Sequence, residues 1–442
     1  MYLGNRFEPA ARLAIIILCL VSYVCLLFQI SNTTPLMSMA ILGGFYYFGV
    51  QKNRPSLYIL WFLVFILYMV ACDYFYFPPV DGVFSNTKRS LLAFLAGIAM
   101  FFACGKDGVS FLAPLPGLVA FGGVLVMLVA YVSGDTSQLY NSDRLAIFTL
   151  HPNRLGMLAG ICSLVGIIYL YKGCVPQFSG GGQPWQRRLR AAGVFLSSRK
   201  MMLLYTAACL VFTFMSGSRT AVFSFSLVLL LYLLAHTRRN RVAHLAIGLA
   251  CVLAAAFAVW NYAPLSDSTK ERVYSRWILP ASAPWETRTF ISRKPMWESA
   301  IRATMQSPLL GNGAMSFSAT HVGYMKENYA RLVKEYGKAW VKKDTMTAGH
   351  AHNQYLSVAS ERGLIGLMLF AGLLLWPMIS AVKNGTFYGA VIPLLLFFML
   401  SFCTETFFHG KKAAAVAYTL FYMTIGYFSC YRGANNSPKN SG

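Results

Sequence analysis

Charged side chains are scarce in this sequence of 442 residues: Asp, Glu, Lys and Arg together make up 12%, against about 25% in soluble globular proteins. Hydrophobic residues make up 57%, and long apolar runs recur along the chain. A membrane-spanning helix needs about 20 consecutive apolar residues, whereas a membrane-spanning strand has about 10 residues of alternating character. The composition therefore excludes a soluble globular protein, and the length of the runs favours helices over strands.

Several catalytic motifs are also missing. The sequence has no GxxxxGK[ST] loop for ATP phosphates and no GxSxG nucleophile elbow. It has no CxxC pair, and the predicted outer loops lack the tight Asp-x-Asp pair that would hold a divalent metal for glycosyl transfer. We therefore expect no metal ion, no other cofactor and no use of ATP.

The apolar runs predict an all-α polytopic membrane protein with about twelve transmembrane helices. Their approximate bounds are 11–30, 35–50, 56–77, 90–105, 111–133, 154–172, 199–216, 219–236, 243–262, 357–382, 388–408 and 412–430. The connections after the even-numbered runs carry clusters of Lys and Arg, which membrane proteins collect on the cytoplasmic side. We therefore expect a bacterial inner-membrane protein with both termini in the cytoplasm and an active site facing the periplasm.

This topology divides the chain into three parts. Residues 1–262 hold nine helices, 263–356 form a large, partly helical periplasmic loop, and 357–442 hold the last three helices and a cytoplasmic tail. The loop has about thirteen Lys and Arg against seven Asp and Glu, on the side where the positive-inside rule does not require them. An anionic ligand, such as a phosphate or a phosphorylated lipid, is the simplest cause.

Two helices are predicted within the periplasmic loop. Pro295 is expected to open the first one. The second spans 323–343, with an apolar stripe on one face and Lys334, Lys338 and Lys342 on another. This pattern fits a helix that lies on the membrane surface and equally a helix that packs on the protein with a solvated basic face.

Two histidines precede the tenth run, where the loop returns to the membrane. His350 and His352 are separated by one residue, and Asn353 and Glu361 follow them. Histidine is the side chain best suited to move a proton near neutral pH, so acid–base chemistry is the favoured interpretation. A metal-ligand pair and a structural polar cap are the alternatives.

An arginine lies at the outer junction of the seventh and eighth runs. Arg219, preceded by Ser218, begins an apolar helix at the edge of the membrane. An ionisable residue there points to function, and a planar guanidinium can bond two phosphate oxygens at once. The alternative is an arginine that reaches outward to the interface.

Further positive groups are predicted on the same outer side. Arg293 and Arg288 lie near the start of the first loop helix, close to Trp297. Arg154, Lys88 and Arg89 lie at outer ends of other runs, and Glu405 closes the eleventh. Together these groups form the kind of surface that a lipid-linked diphosphate would need.

The order of these motifs resembles the O-antigen ligase and polymerase superfamily. The segments concerned are SGSR at 216–219, RKPMW at 293–297, PLLGNG at 308–313, HAHNQYL at 350–356 and ERGLIG at 361–366. The resemblance implies a C-type, all-helical glycosyltransferase fold and an inverting, metal-independent transfer. The implied donor is a polysaccharide on undecaprenyl diphosphate, the acceptor is the lipid A-core oligosaccharide, and the product is lipopolysaccharide.

The resemblance also implies roles for individual residues. His352, with His350 beside it, corresponds to the histidine that activates the acceptor hydroxyl, and Arg219 and Arg293 correspond to the arginines that hold the diphosphate. The wider expected donor site comprises Arg288, Arg154, Arg89 and Lys88, with supporting residues Asn353, Ser218, Glu361, Glu405 and Trp297. Lys334, Lys338 and Lys342 are the expected contacts for lipid A phosphates.

Other functions share parts of this pattern. An O-antigen polymerase or a protein O-oligosaccharyltransferase would use the same donor, but the His-Ala-His-Asn segment and the basic loop favour the ligase. A polysaccharide flippase would place charges along a central path, and Asp73 is one of few acidic residues inside a run. No basic segment interleaved with aromatics resembles a nucleic-acid reader, so membrane lipids and lipid-linked glycans are the expected partners.

Overall fold

The computed structural model describes residues 18, 21, 57–76, 114–134, 139–141, 144–145, 152–172, 198–236, 290–313, 316–336, 348–383 and 391–404. Ten helices run through this part of the chain: α1 (Leu57–Tyr76), α2 (Pro114–Ser133), α3 (Pro152–Lys172), α4 (Arg199–Met215), α5 (Arg219–His236), α6 (Phe290–Gln306), α7 (Phe317–Glu327), α8 (Tyr329–Tyr336), α9 (Gln354–Lys383) and α10 (Val391–Phe402). Two short strands, β1 (Tyr140–Asn141) and β2 (Arg144–Leu145), pair antiparallel between α2 and α3.

Where the predicted apolar runs fall on described residues, the structure has a helix. Three segments are long and apolar enough to cross a membrane: Pro116–Ser133, Pro152–Leu170 and Gln354–Trp376. Shorter apolar segments lie in α1, α5 and α10. These findings confirm an all-α membrane protein. The runs at 35–50, 90–105, 243–262 and 412–430, and most of 11–30, lie outside the described residues, so the count of twelve stays a prediction.

Helix α3 is the centre of the apolar core. It is the most buried of the three candidate spans, and it packs against α4, α5 and α10. Small residues allow this close approach, as they do between membrane helices in general. A Cβ added to Gly166 would collide with the Thr206 side chain of α4, and one added to Gly160 would press on Phe397 of α10.

Helix α9 is interrupted at Gly363, whose φ of 66° and ψ of −171° are not helical. Helix α1 packs beside this break. The Tyr68 hydroxyl donates to the Arg362 carbonyl at 2.6 Å, and the Trp61 indole N–H donates to the Leu369 carbonyl at 3.1 Å. The Arg362 guanidinium in turn donates to the Met69 carbonyl at 3.2 Å. Helix α1 therefore satisfies the Arg362 carbonyl beside the break and the buried Arg362 guanidinium.

The prediction that Pro295 opens the first loop helix is wrong. Helix α6 begins at Phe290, and Pro295 lies inside it. A proline is best tolerated in the first turn because it has no N–H to donate, but that is a local preference. Here Pro295 and Met296 are both buried in the loop's own core, and this packing outweighs the local cost.

The second predicted loop helix, 323–343, is in fact two helices that start earlier. Helix α7 spans Phe317–Glu327 and is capped by Asn328, and α8 spans Tyr329–Tyr336. The Asn328 side chain donates to the Tyr324 carbonyl at 2.9 Å, which satisfies an acceptor at the helix end and competes with further helical bonding. Residues 337–347 lie outside the described residues.

Candidate functional site

The turn between α4 and α5 holds Arg219 at a helix start. Gly217 has a φ of 60°, and the buried Ser216 hydroxyl donates to the Thr213 carbonyl at 2.7 Å while accepting from the Ser218 N–H at 3.2 Å. The Ser218 hydroxyl accepts from the Ala221 N–H at 3.4 Å, as a helix cap does. Ser218 therefore supports the turn, and Arg219 is exposed at the first position of α5.

Arg219 lies where the helix dipole alone would disfavour a cation. The start of a helix carries partial positive charge and orphan N–H groups. An anion placed there would be attracted by those groups and by the guanidinium together. The position is therefore suited to a phosphate-bearing ligand.

The start of α3 packs directly on this turn. A Cβ added to Gly156 would collide with the side chains of Ser216 and Ser218, so glycine is needed for the contact. Arg154, partly exposed, lies two residues earlier in the first turn of α3. The structure thus brings the predicted Arg154 and Arg219 motifs to the same end of the helix bundle.

The two predicted histidines lie just before α9. Their ring centroids are 4.2 Å apart with an interplanar angle of 62°. His352 has a φ of 48°, and among the described residues no other non-glycine residue has a positive φ. Such backbone conformations are uncommon outside glycine and occur often at functional sites, although histidine tolerates them better than most residues.

Asn353 ties the histidine segment to α9 and to α10. Its side-chain oxygen accepts from the Leu356 N–H at 3.0 Å, which makes Asn353 the cap of α9. Its side-chain amide donates to the Cys403 carbonyl, just beyond α10, at 3.0 Å. One side chain therefore fixes both the helix start and its distance from α10.

The end of α10 also contacts the Arg219 turn. Thr404 and Thr220 share a hydrogen bond between their hydroxyls at 2.8 Å. Since Thr220 follows Arg219 and Asn353 follows His352, the adjacent residues Cys403 and Thr404 link the two predicted motifs through two hydrogen bonds. We refer to these contacts of Asn353, Cys403, Thr404 and Thr220 as the α10 bridge. Glu405, the next residue, lies outside the described residues.

Helix α6 packs against the histidine segment from the loop side. A small apolar cluster contains Met296, Ala300, Phe317, Ala348 and Ala351, with Trp297 and Leu356 packed on it. Ala351 is the residue between the two histidines. Trp297 therefore supports the segment directly, and Arg293, one turn earlier on α6 and partly exposed, is carried on the same helix. Arg288 lies outside the described residues.

Much of the loop's described positive charge is balanced internally. Lys294 contacts Glu335 at 3.0 Å, Arg331 contacts Glu298 at 2.9 Å, and Arg302 contacts Glu327 at 2.6 Å. Lys294, Arg331 and Arg302 each face a carboxylate, so their positive charge is balanced within the loop.

The Glu298 carboxylate also accepts from the Tyr324 hydroxyl. Burial, and then this hydrogen bond, raises the pKa of Tyr324 to about 12. The phenol therefore stays protonated near neutral pH and acts as a donor that connects α7 to α6.

The lysine-rich helix packs on the protein where the structure describes it. Met325 and Leu332 are buried in a small cluster with Tyr324 and Val333, whereas Lys334 is exposed. This favours the packed alternative for α8. Lys338 and Lys342 lie outside the described residues, as do Lys88 and Arg89.

The sequence motifs at 308–313 and 361–366 meet at the break in α9. The Leu364 N–H donates to the Pro308 carbonyl at 2.7 Å, and the Gly313 N–H donates to the Glu361 carbonyl at 2.9 Å. The Glu361 and Arg362 side chains are buried beside this joint. Sequence reasoning gave Glu361 a supporting role and gave Arg362 none. The signal for Arg362 was an arginine inside an otherwise apolar run.

No group of three or more His, Cys, Asp or Glu side chains that could hold a metal ion occurs among the described residues. The metal independence of the reaction stays a prediction.

Comparison with known proteins finds a family model that matches part of the chain. Residues 204–371, about two fifths of the chain, match the family model described as O-antigen ligase. The matched segment contains the Arg219 turn, α6, both histidines and the break at Gly363. The match confirms, over this part of the chain, the resemblance to the O-antigen ligase superfamily that the motifs carry.

The chain is also similar to an uncharacterized protein of Haemophilus influenzae (strain ATCC 51907 / DSM 11121 / KW20 / Rd). The two are 30% identical over 93 residues, which is 21% of each chain. The aligned part thus spans about a fifth of that relative's length.

Proposed function

We propose that this protein is an inverting glycosyltransferase that transfers O-antigen polysaccharide from undecaprenyl diphosphate to the lipid A-core oligosaccharide, completing lipopolysaccharide. The α10 bridge is the observation that carries the proposal. It joins a histidine pair that can accept a proton to an arginine that can hold a diphosphate. The family match over the same residues supports the enzyme class.

The proposed reaction needs one base and one charge clamp. The acceptor hydroxyl attacks the anomeric carbon of the donor sugar, and the bond from that carbon to the diphosphate oxygen breaks with inversion. The diphosphate leaves with the bonding electrons, and the hydroxyl proton passes to a histidine. A diphosphate is already a good leaving group, so stabilising its charge and removing the proton are the main tasks.

Arg219 and Arg293 are assigned to the diphosphate. In other enzymes, removing a single fixed hydrogen-bond donor from a water-poor site costs about 3–4 kcal/mol of transition-state stabilisation. Arg219 lies at the N-terminal end of α5, where the helix dipole favours an anion, and Arg293 is carried on α6 beside the histidine segment. Arg154 extends this surface, and Arg288, Arg89 and Lys88 are proposed to complete it.

His352 is assigned as the base, with His350 beside it. A positioned general base contributes about 10²–10⁴-fold in rate. His352 has a left-handed backbone conformation just before α9 begins. The next residue, Asn353, is held by hydrogen bonds from both its side-chain nitrogen and its side-chain oxygen. Trp297 packs on the cluster that contains Ala351, and Glu361 is proposed as a further supporting residue.

The proposed orientation follows from loop charge. Both termini lie in the cytoplasm, the chain crosses the inner membrane about twelve times, and the loop at 263–356 lies in the periplasm between the parts at 1–262 and 357–442. Lys334, Lys338 and Lys342 are proposed to receive lipid A phosphates. Replacing all three with Glu should reduce ligation, while Lys326→Glu, an exposed lysine on α7, serves as the matched control. Unchanged ligation in the triple variant would remove this role.

Reconstitution distinguishes the ligase from its relatives. Purified protein is mixed with undecaprenyl-diphosphate glycan and lipid A-core in the presence of a chelator. Transfer to lipid A-core is the expected result. Growth of the lipid-linked glycan alone would identify a polymerase instead, and transfer to Ser or Thr of an added protein would identify an oligosaccharyltransferase.

Variants test the assignments within the same assay. His352→Ala and Arg219→Ala should each lower transfer by at least about 10²-fold, given the contributions of a base and of a fixed charge donor. Arg199→Ala, an exposed arginine at the start of α4, is the control and should retain activity. If His350→Ala abolishes transfer and His352→Ala does not, the base is His350. If neither histidine matters, the proposed chemistry is wrong.

A further inference from the structure

An apolar surface continues from the periplasmic loop onto the last described span. On α6, Ile301 is 45% exposed and Met305 75%, and Leu309, three residues beyond the end of α6, is 62% exposed. Ile301 and Met305 are four residues apart in the helix and so lie on one face. On α9, Leu364 is 43% exposed and Met368 62%, again four residues apart.

Hydrogen bonds at the α9 break make these two patches one surface. The Leu364 N–H donates to the Pro308 carbonyl at 2.7 Å, and the Ile365 N–H donates to the Leu309 carbonyl at 3.3 Å. A Cβ on Gly363 would collide with the Leu309 carbonyl, so the two backbones touch. Leu309 and Leu364 are therefore neighbours, and the exposed side chains form a strip from Ile301 to Met368.

The joint lies deep along the candidate span. Gln354–Trp376 is long and apolar enough to cross a membrane, and the loop backbone docks on residues 360–365. At 1.5 Å per residue, this is about 10–15 Å along α9 from its first residue, whereas the hydrocarbon core of a bilayer is about 30 Å thick. The segment 308–313 thus meets α9 within the stretch that is long and apolar enough to cross a membrane.

The irregular segment meets the requirement for such a depth. Non-helical backbone is tolerated within a bilayer when the protein satisfies its polar groups. The N–H of Asn312 donates to the Ser360 carbonyl at 3.0 Å, and the N–H of Gly311 donates to the Ser307 carbonyl at 3.0 Å. The Asn312 side chain donates to the Ala303 carbonyl at 2.7 Å. Polar groups turn toward the protein, and apolar side chains turn away from it.

We propose that the end of α6 around Met305 and the segment 308–313 re-enter the outer half of the membrane and contact lipid acyl chains through this strip, with the Arg302–Glu327 ion pair at the membrane surface. Continuity with the span selects lipid as the occupant. Helix α1, which packs beside the same joint, likewise exposes Val64 and Leu67. The helix that carries Arg293 is thereby anchored in the bilayer twelve residues further on, at about 18 Å of helix length. The inference depends on the membrane span and not on the reaction.

Depth-dependent quenching tests the proposal. A small fluorescent amino acid is introduced by codon suppression at Met305, and separately at Met368 and Ala319. Ala319 is an exposed position on α7 in the loop and serves as the aqueous control, whereas Met368 is the membrane control. Each full-length protein is reconstituted in vesicles of phosphatidylcholine and phosphatidylglycerol, with or without acyl-chain-brominated lipid. Size-exclusion profiles check that each variant folds.

The expected result is that brominated lipid removes fluorescence at 305 to a similar extent as at 368, and leaves 319 unaffected. Aqueous iodide should quench 319 and spare the other two positions. Iodide quenching at 305 without lipid quenching would overturn the proposal, since the strip would then face water. Protection at 305 from both quenchers would also overturn it, because a protein surface would then cover the strip.

Discussion

Replacing Gly363 with alanine tests the joint on which both the site and the membrane strip depend. Gly363 combines a φ of 66° with a ψ of −171°, a region that essentially only glycine occupies. Forcing another residue into such a conformation costs about 1–3 kcal/mol. The new Cβ would also lie within 3.0 Å of the Leu309 carbonyl group and of the Leu310 nitrogen, closer than real Cβ atoms approach.

Relief of this collision requires the two backbones to separate. Separation would break the hydrogen bonds from Leu364 to Pro308 and from Ile365 to Leu309. Each backbone hydrogen bond contributes about 1 kcal/mol net, so the expected total loss is about 3–5 kcal/mol. That exceeds the effect of most single substitutions and is a large part of a typical stability of about 5–15 kcal/mol.

The assay is thermal unfolding of the purified protein in detergent, in which the measured quantity is the fraction that stays monodisperse after heating. Gly323→Ala is the matched control, because nothing lies within 4 Å of its Cβ position and it sits inside α7. Glycine within a helix is less favourable than alanine by about 0.5–1 kcal/mol, so this variant should be unchanged or slightly more stable.

A second variant sharpens the test. Gly311 has a φ of 76°, and its Cβ would collide with the backbone of Glu361 and Arg362. Gly311→Ala should therefore open the same joint, and the double variant should be less destabilised than the sum of the single ones. If Gly363→Ala unfolds at the wild-type temperature, the break and its docking are wrong.

Three further outcomes follow from the site and the loop. Asn353→Ala should lose the α9 cap, which contributes about 1 kcal/mol to stability, and most transfer activity. Asn353→Asp keeps an oxygen that can cap α9 and should therefore lose mainly activity. Thermal unfolding and transfer assays would distinguish the two variants. Thr220→Val and Thr404→Val should lower transfer equally and non-additively, and additive losses would mean that their shared hydrogen bond does not couple the motifs. Tyr324 has a folded pKa of about 12 against about 10 unfolded, so its contribution to stability holds below pH ~10 and is lost toward pH ~12. Glu298→Gln should bring the folded pKa of Tyr324 only part of the way back toward its unfolded value, because burial is the larger cause of the shift. Proteolysis of the loop between pH ~10 and pH ~12 would measure the change in stability.

The candidate site was accessible from sequence because its residues are conspicuous there. His350 and His352 stand out among seven histidines in the whole chain, and Arg219 interrupts a long apolar region. Lys and Arg on the predicted outer side indicated an anion-binding surface, and the resemblance to the family assigned roles to individual residues. The α10 bridge was not predictable, since Thr404 and Thr220 are ordinary residues that are 184 positions apart.

The loop shows why local patterns were insufficient. The basic excess suggested an anion surface, but Lys294, Arg302 and Arg331 face carboxylates that lie on other helices or several turns away. The pattern of the lysine-bearing helix fitted a membrane surface and a packed helix equally, and the burial of Leu332 against α7 favours the packed helix. Pairing and packing between helices depend on where those helices meet, which periodicity does not contain.

The sequence by itself determined the membrane helices. A bilayer of fixed thickness demands a fixed length of apolar residues, so composition alone predicted helices such as α3 and α5 to within a few residues. The tertiary structure alone decided that α9 breaks at Gly363, that 308–313 docks in the break and that the histidines meet the Arg219 turn through α10. Those features depend on hydrogen bonds and close backbone contacts between distant segments, which exist only once the helices are packed.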